Sequence, residues 1–337
     1  MKVLLYFENQ KVMKQSGIGR ALSHQKKALE LAGIDYTLNK KEDFDVAHIN
    51  TLFFASHKVL KKCKKKNKKV IVHGHSTVED FYNSFRHWKL IAPFYNRLIL
   101  RMYRKADYII TPTPYSKRLI EGYKGVKCPV VAVSNGIDLQ RYTSVTVTPE
   151  DNISLRKQFN IGENDKIVMG IGFLFQRKGV HDFIEIAKRM PDVKFIWFGK
   201  GSYFINTKSV AKALKKKPSN LILPGYVPQE VIIKMLKMSD CFFFPSYEET
   251  EGIVLLEALA TKTPVLIRDI GVFDYLTDGV DCYKASNNDG FIEKLNYIIN
   301  NDNQEVINNG YKIAEERTLD IIGEELNKHY NIVLNNK

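Results

Sequence analysis

Pro245-Ser246-Tyr247-Glu248-Glu249-Thr250-Glu251-Gly252-Ile253-Val254-Leu255-Leu256-Glu257-Ala258-Leu259-Ala260 follows an apolar run, Cys241-Phe242-Phe243-Phe244, and closes on good helix formers from Ile253 to Ala260. A short apolar run bounded by turn residues reads as a buried strand, and the Leu- and Ala-rich segment reads as a helix. The acidic, glycine-containing turn therefore lies where a strand hands over to a helix. In an open α/β sheet, the crevice at the carboxyl ends of the strands is where ligands bind. The free N–H groups near Gly252, Ile253 and Val254 would sit at the helix N-terminus, whose partial positive charge suits a phosphate. Gly252 lets a ligand approach the backbone closely. Glu257, one turn further in, would hold a carboxylate where two sugar hydroxyls can donate to it.

Glu249 and Glu257 bracket seven residues. Two glutamates at that spacing can be plain exposed helix charges. With the strand, Pro-Ser, glycine and Glu-Ala around them, the stretch resembles the signature of the family-4 retaining glycosyltransferases. These enzymes have the α/β GT-B fold, two Rossmann-like domains whose parallel sheets face each other across a cleft. The string Tyr247 to Val254 is most similar to the branch that glycosylates diacylglycerol in Gram-positive bacteria and mollicutes. The resemblance implies that Glu257 holds the ribose of a sugar nucleotide and that Glu249 lies beside the donor sugar.

The chain's 337 residues are enough for two domains, and 44% hydrophobic content argues against global disorder. No apolar run approaches a membrane-spanning length, and the chain begins on a strand-like Lys2 to Phe7, so neither a signal peptide nor a transmembrane segment is expected. Cys63, Cys128, Cys241 and Cys282 lack metal-ligand or redox spacing, which fits a reduced, cytosolic compartment. Residues 1–142 hold 27 Lys and Arg against 11 Asp and Glu, whereas residues 143–337 hold 24 against 26. The basic character therefore belongs to the N-terminal half and suits a polyanionic partner, an anionic membrane or a nucleic acid.

Strand-like and helical runs alternate from the first residue, as in a parallel α/β sheet. After the first strand, Ser16-Gly17-Ile18-Gly19-Arg20 opens an amphipathic segment. Gly17 and Gly19 could form a merely tight turn; in similar glycosyltransferases this loop faces the reacting centre. Lys61 to Lys69 places seven lysines in nine residues, beyond what capping a helix end requires. His73 and His75 end the next strand-like run with no third metal ligand nearby; the resemblance carries a role in holding donor sugar and acceptor to His75, and more weakly to His73. In Phe81 to Lys105, Trp88, Ile91, Tyr95, Leu98 and Met102 recur at helical spacing on one face, and Arg97, Arg101 and Arg104 on another. Pro93 is expected to start or kink that helix. This is either an ordinary amphipathic helix or one lying in a membrane interface, aromatic residues at headgroup depth and arginines on lipid phosphates. Asn135, in Asn135-Gly136-Ile137-Asp138, matches a strand-end family segment at the cleft.

Residues 1–142 are expected to form an acceptor- and membrane-binding domain, residues 143–152 a linker, and residues 150–317 a nucleotide-sugar domain, with a helix over 318–337 crossing back. In Gly170-Ile171-Gly172-Phe173-Leu174-Phe175-Gln176-Arg177-Lys178-Gly179, many family members carry an arginine where this chain has Phe173. Lys178 is kept, and Arg177 is the expected replacement cation, both meeting the donor diphosphate as the glycosidic bond breaks. Gly172 lies in the same loop, and Tyr226 and Val227 are expected around the uracil.

The resemblance thus implies transfer of a hexose, glucose or galactose, from a UDP-sugar to a membrane glycolipid with retention of the α configuration. Monoglucosyl-diacylglycerol is the expected acceptor; diacylglycerol itself and cell-wall or polysaccharide acceptors are alternatives. Glu249, Arg177, Lys178 and His75 are the expected catalytic groups, with no structural metal or cofactor. The expected location is cytoplasmic, peripheral on the inner face of the cell membrane through Lys61–Lys69 and Phe81–Lys105. A basic nucleic-acid-binding module is the distant rival, and it leaves the glutamate and Arg-Lys-Gly motifs unexplained.

Overall fold

The computed structural model describes residues 1–9, 16–201 and 207–335. The first domain runs β1 (Lys2–Tyr6), α1 (Gly17–Leu31), β2 (Asp35–Thr37), β3 (Val46–Ile49), α2 (Phe54–Lys65), β4 (Lys69–His73), α3 (Trp88–Tyr103), β5 (Tyr108–Thr111), α4 (Pro114–Glu121) and β6 (Val130–Ala132). Two helices, α5 (Leu139–Thr143) and α6 (Pro149–Gln158), lead to the second domain. It continues as β7 (Ile167–Ile171), α7 (Val180–Arg189), β8 (Lys194–Phe198), α8 (Lys208–Lys215), β9 (Leu221–Gly225), α9 (Gln229–Met238), β10 (Cys241–Phe244), α10 (Ile253–Ala260), β11 (Val265–Arg268) and β12 (Tyr283–Ala285). It closes with α11 (Asn288–Asn300), α12 (Gln304–Glu315) and α13 (Leu319–Asn335).

Each domain carries a six-stranded parallel sheet, in the orders β2-β1-β3-β4-β5-β6 and β12-β11-β10-β7-β8-β9. The strand order reverses between β1 and β3 in the first and between β7 and β10 in the second. The loops leaving these strands form the crevices where such sheets bind ligands. The loops after β7 and β10 are the Gly172–Gly179 and Pro245–Gly252 segments. Alternate strand residues enter opposite layers, as a two-residue period requires. Met169, Phe242 and Phe244 pack on one side of the second sheet, Val168, Cys241 and Phe243 on the other.

The last helix, α13, returns to the first domain. Leu319, Ile322, Leu326, Tyr330 and Val333 join the core around Val3, Leu5, Ala28 and Leu29. A Cβ at Gly323 would come within 2.3 Å of the Ala28 carbonyl, so only glycine permits this approach of α13 to α1.

Two local expectations are corrected. Part of the stretch read as linker, 143–152, is helical. Thr148 and Asp151 form a reciprocal capping box and Pro149 follows the cap, so α6 starts inside it. The short edge strands β2 and β12 add to the strands that the sequence pattern predicts. The stripe on α3 is also displaced: Met102 is fully buried beside Ala92, Ile99 and Tyr103, while Leu90, Ile91 and Phe94 are exposed. Leu90, Phe94, Arg97 and Arg101 follow one another at spacings of four, three and four, so the arginines share a face with outward apolar residues. Pro93 lies inside α3.

Candidate active site

The loop after β7 must pass close under the loop after β10. Gly179 has φ of 73°, and a Cβ there would meet the Pro245 carbonyl at 2.3 Å, which fixes glycine at this position. The turn delivers Lys178 and Arg177 to the second loop. Lys178 Nζ donates to Glu249 Oε1, and Arg177 Nη1 stands 3.7 Å from the same oxygen. Burial alone would raise the Glu249 carboxyl, but the two cations and the hydrogen bond from Lys178 hold it below the usual carboxylate range. Burial lowers the Lys178 ammonium, and Glu249 opposes that shift. Both side chains of the pair are largely buried.

Arg177 also ties the domains together. Its Nε donates to Ser84 Oγ at 2.9 Å, its backbone N–H to the Asn83 carbonyl at 3.2 Å, and its Nη1 to the Glu248 carbonyl. Phe173, in the position where many family members carry an arginine, stacks on Phe175 at 5.3 Å between ring centroids.

Gly252, with φ of 83°, starts α10 with no side-chain cap, so the first N–H groups of Ile253–Ala260 have no side chain competing for them. Glu257 is fully buried one turn in. Its Oε1 accepts from Arg20 across the cleft, and Arg20 also donates to Gln229 Oε1 at 2.7 Å. Among the described residues, Glu257 Oε2 is buried without a hydrogen-bond partner. A buried carboxylate oxygen left unpaired is costly, and a ligand hydroxyl would relieve it.

From the first domain, His75 reaches the same place. Thr250 Oγ1 donates to the His75 carbonyl at 3.2 Å, and His75 Nε2 lies 2.8 Å from Asn50 Oδ1. Its ring stacks on His73 at 3.8 Å. His73 Nδ1 is 3.1 Å from His48 Nε2, and His48 Nδ1 is 2.7 Å from the Tyr330 hydroxyl on α13. Burial drives the imidazoles of His48, His73 and His75 well below their ordinary value, so all three are neutral near pH 7.

The structure therefore gathers Glu249, Arg177, Lys178, Glu257, the Gly252–Val254 helix start and His75 at one cleft. Gly17 and Gly19 open α1 at the same cleft, beside Arg20; Ser16 accepts from the Gly19 N–H, and a Cβ on Gly17 would meet nothing within 4 Å among the described residues. Gly172, with φ of 150°, begins the Lys178 loop. Tyr226 is half exposed at the end of β9 under the Lys200 ammonium, and Val227 packs against the core behind it. Asn135 is in the cleft, but its amide donates to Glu251 Oε2 at 2.6 Å, which makes it an interdomain clamp.

Sequence reasoning passed over Arg20, Glu251, Glu248 and Asp80. Arg20 did carry a signal: a cation in the first turn of a helix opposes the helix dipole. Burial pushes the Glu248 carboxyl up to about 7 and Asp80 up to about 6, in both cases against the pull of Arg177. Among the described residues no cluster of three or more His, Cys, Asp or Glu could hold a metal, and no helix is long and apolar enough to cross a membrane.

Residues 151–313 match the family model "Glycosyl transferases group 1", and residues 23–141 match "Glycosyltransferase Family 4". The processive diacylglycerol alpha-glucosyltransferase of Acholeplasma laidlawii is 50% identical over 336 residues, covering 99% of each chain. The alpha-galactosylglucosyldiacylglycerol synthase of Streptococcus pneumoniae is 25% identical over 83% of this chain and 75% of its own. Among solved structures, Anabaena HepE in complex with UDP and glucose superposes with a TM-score of 0.77 at 17% identity, covering 98% of this chain and 99% of its own. With its two six-stranded parallel sheets meeting at a cleft built from the Glu249, Lys178 and Glu257 loops, the chain belongs to the family-4 glycosyltransferases of GT-B fold.

Proposed function

We propose that the chain transfers glucose from UDP-glucose to a diacylglycerol-based glycolipid, with retention of the α configuration and monoglucosyl-diacylglycerol as the acceptor. The observation that carries this reading is the relative named a processive diacylglycerol alpha-glucosyltransferase, 50% identical across 99% of both chains. The cleft geometry supports it. The orphaned Glu257 Oε2 suits a ribose hydroxyl. The uncapped start of α10 with Lys178 and Arg177 suits a diphosphate whose charge grows as it leaves. Glu249, held ionised by its two cations, positions the donor sugar and stabilises positive charge at its ring. His75, neutral and anchored by Asn50, holds the donor sugar and acceptor from the other side. The acceptor's proton passes to a diphosphate oxygen, so no protein carboxylate bonds to the sugar.

The glycolipid reading places the first domain on a membrane. Leu90, Ile91 and Phe94 on α3 and Phe53 and Phe54 before and on α2 are exposed, and Phe54 and Phe94 lie 6.0 Å apart between ring centroids. Lys61, Arg101 and Lys105 lie close enough to act on His57, one turn along α2 from Phe54, and Arg97 and Arg101 share the α3 face of Phe94. Apolar side chains among basic ones suit an anionic lipid surface. A panel of UDP-sugars and lipid acceptors in vesicles, read by product mass and linkage, tests the assignment; transfer only to a soluble saccharide would refute it.

A further inference from the structure

Glu257 stands on α10 of the second domain, yet the cation that meets it comes from the first: Arg20, in the opening turn of α1. We infer that Arg20 is a positioning residue for the nucleotide. It holds one oxygen of Glu257 so that the other is aimed at a ribose hydroxyl, and the ribose site is complete only when the two domains are together. This rests on reading the cleft as the UDP-sugar site.

The two carboxylate oxygens of Glu257 are used unequally. Oε1 accepts from Arg20 Nη1, whereas Oε2, among the described residues, is buried with no hydrogen-bond partner. An arginine serving only as a counter-ion could take both oxygens in its fork. Here the fork is split, and Nη2 donates to Gln229 Oε1 at 2.7 Å. Gln229 is itself oriented, its amide nitrogen donating to the buried Tyr142 hydroxyl at 3.0 Å. The line Tyr142–Gln229–Arg20–Glu257 therefore fixes the guanidinium and leaves Oε2 as its open end. A ribose hydroxyl supplies the donor that this oxygen lacks.

The helix that carries Arg20 is anchored where the domains join. Arg20, His24 and Lys27 follow one another at spacings of four and three and share a face of α1. His24 Nδ1 donates to the Gly136 carbonyl at 2.8 Å, and Lys27 Nζ donates to Asp138 Oδ2 at 2.6 Å. Gly136 and Asp138 lie in the crossover from β6 to the second domain, where Ile137 bridges to Thr318 just before α13. Gly136 has φ of 70°, and a Cβ there would come within 2.8 Å of the Ile322 and Leu319 side chains. Both segments that join the domains are thus packed together and fastened to α1. Arg20 reaches Glu257 from a rigid base, which is what orienting a ligand-binding group requires.

Stability alone accounts poorly for this placement. A cation in the first turn of a helix opposes the helix dipole. A buried ion pair adds little net stability over an apolar pair of similar volume. The orientation given to Glu257 explains the arginine better than the fold energy does.

Titration calorimetry on the full chain tests this with UDP, 2′-deoxy-UDP and 3′-deoxy-UDP, at a temperature where each variant remains folded. The parent should prefer UDP over at least one deoxynucleotide by about tenfold or more, the scale of a hydroxyl bound to a charged group. Glu257→Ala should erase that preference. Arg20→Ala should bring it within about twofold, and Gln229→Ala, which only unbraces the arginine, should lower it in the same direction. Combining Arg20→Ala with Glu257→Ala should lower it no further than Glu257→Ala does alone. An Arg20→Ala variant that weakens UDP and both deoxynucleotides equally, and so keeps the parental preference, overturns the positioning role, because Arg20 would then only hold the domains together. Where Arg20→Ala does not fold, a parental preference kept by Gln229→Ala overturns it in the same way. A parent chain that binds no UDP, or binds all three nucleotides alike, overturns instead the ribose role of Glu257, and the positioning role with it.

Discussion

The central strands of the second sheet bury Phe195, Trp197, Phe198, Phe242, Phe243 and Phe244. The corresponding strands of the first sheet bury His48 and, at the end of β4, His73, with His75 just beyond. The second domain keeps its polar atoms at the strand ends, where Glu249, Lys178 and Glu257 form the candidate donor site. The first domain instead carries a polar line through its interior, from His75 at the cleft through His73 and His48 to Tyr330 on the helix that crosses back from the other end of the chain. An apolar interior gives a rigid platform for a charged site. A line of buried neutral imidazoles gives an interior whose integrity depends on protonation state. Both domains build a six-stranded parallel sheet, in different strand orders, and they divide the physics.

The largest expected effect breaks the symmetry by acid. Burial holds His73 down to about 3 and His24 to about 4. These folded values lie below the unfolded one. Their contribution is therefore fully present above the unfolded value and is lost as the pH falls from there toward the folded values. Each such histidine should cost about 3 kcal/mol of stability between pH 6.5 and 4. Asp80 and Glu248 act oppositely, because carboxyls raised to about 6 and about 7 relieve a penalty as the pH falls through those values. Those two groups lie at the cleft. Amide hydrogen exchange followed from pH 7 to 4 should show β3 and β4 losing protection before β8 and β10. Loss of both sheets at one pH would mean that the histidine line does not distinguish the domains.

A smaller effect isolates the second domain. Glu257→Ala removes the carboxylate that faces Arg20 and carries the unpaired oxygen. UDP binding should weaken by about 1.5–3 kcal/mol, the worth of hydrogen bonds to a charged group. Titration calorimetry on a folded variant checks this, and unchanged affinity would remove Glu257 from the nucleotide site.

The smallest effect belongs to the first domain's outer surface. Arg101→Ala should weaken binding to anionic vesicles by about 1 kcal/mol, and the loss should shrink as salt is added. Phe94→Ala should weaken it by a similar amount, about 1.5 kcal/mol, in a salt-independent way. Vesicle sedimentation at two salt concentrations separates the two. Identical salt dependence in both variants would show that Phe94 does not reach the lipid.

The same comparison explains what the sequence revealed. The second domain was legible because its strand, turn and helix signals agree locally: the four-residue apolar run, the glycine at the helix start and the helix Gln229–Met238 all stand where the pattern places them. The cleft partners were not legible, because they are set by distance in space. Arg20 meets Glu257 across 237 residues of chain, and Glu251 meets Asn135 across 116. Glu251 reads as one more acid in an acidic turn, yet it is buried because Ser134 and Asn135 satisfy it from the other domain. On α3 the apolar positions fit two adjacent stripes, and packing of Ile99, Met102 and Tyr103 into the first core chose between them. The strands β2 and β12 are three residues each at sheet edges, too short for a period to show.

The central claim is that the strand-end carboxylates and cations of the second domain handle a UDP-sugar for transfer to a glycolipid presented by the first. The most direct measurement supplies UDP-[13C]glucose and vesicles of monoglucosyl-diacylglycerol with an anionic phospholipid, and reads the product by NMR, in parallel for the parent chain and Lys178→Ala. The parent chain should place a new α-linked glucosyl residue on the glycolipid, and Lys178→Ala, assayed at a temperature where it remains folded, should be slower by about a hundredfold or more. A β-linked product, no lipid-borne product, or a Lys178→Ala variant as fast as the parent would contradict it.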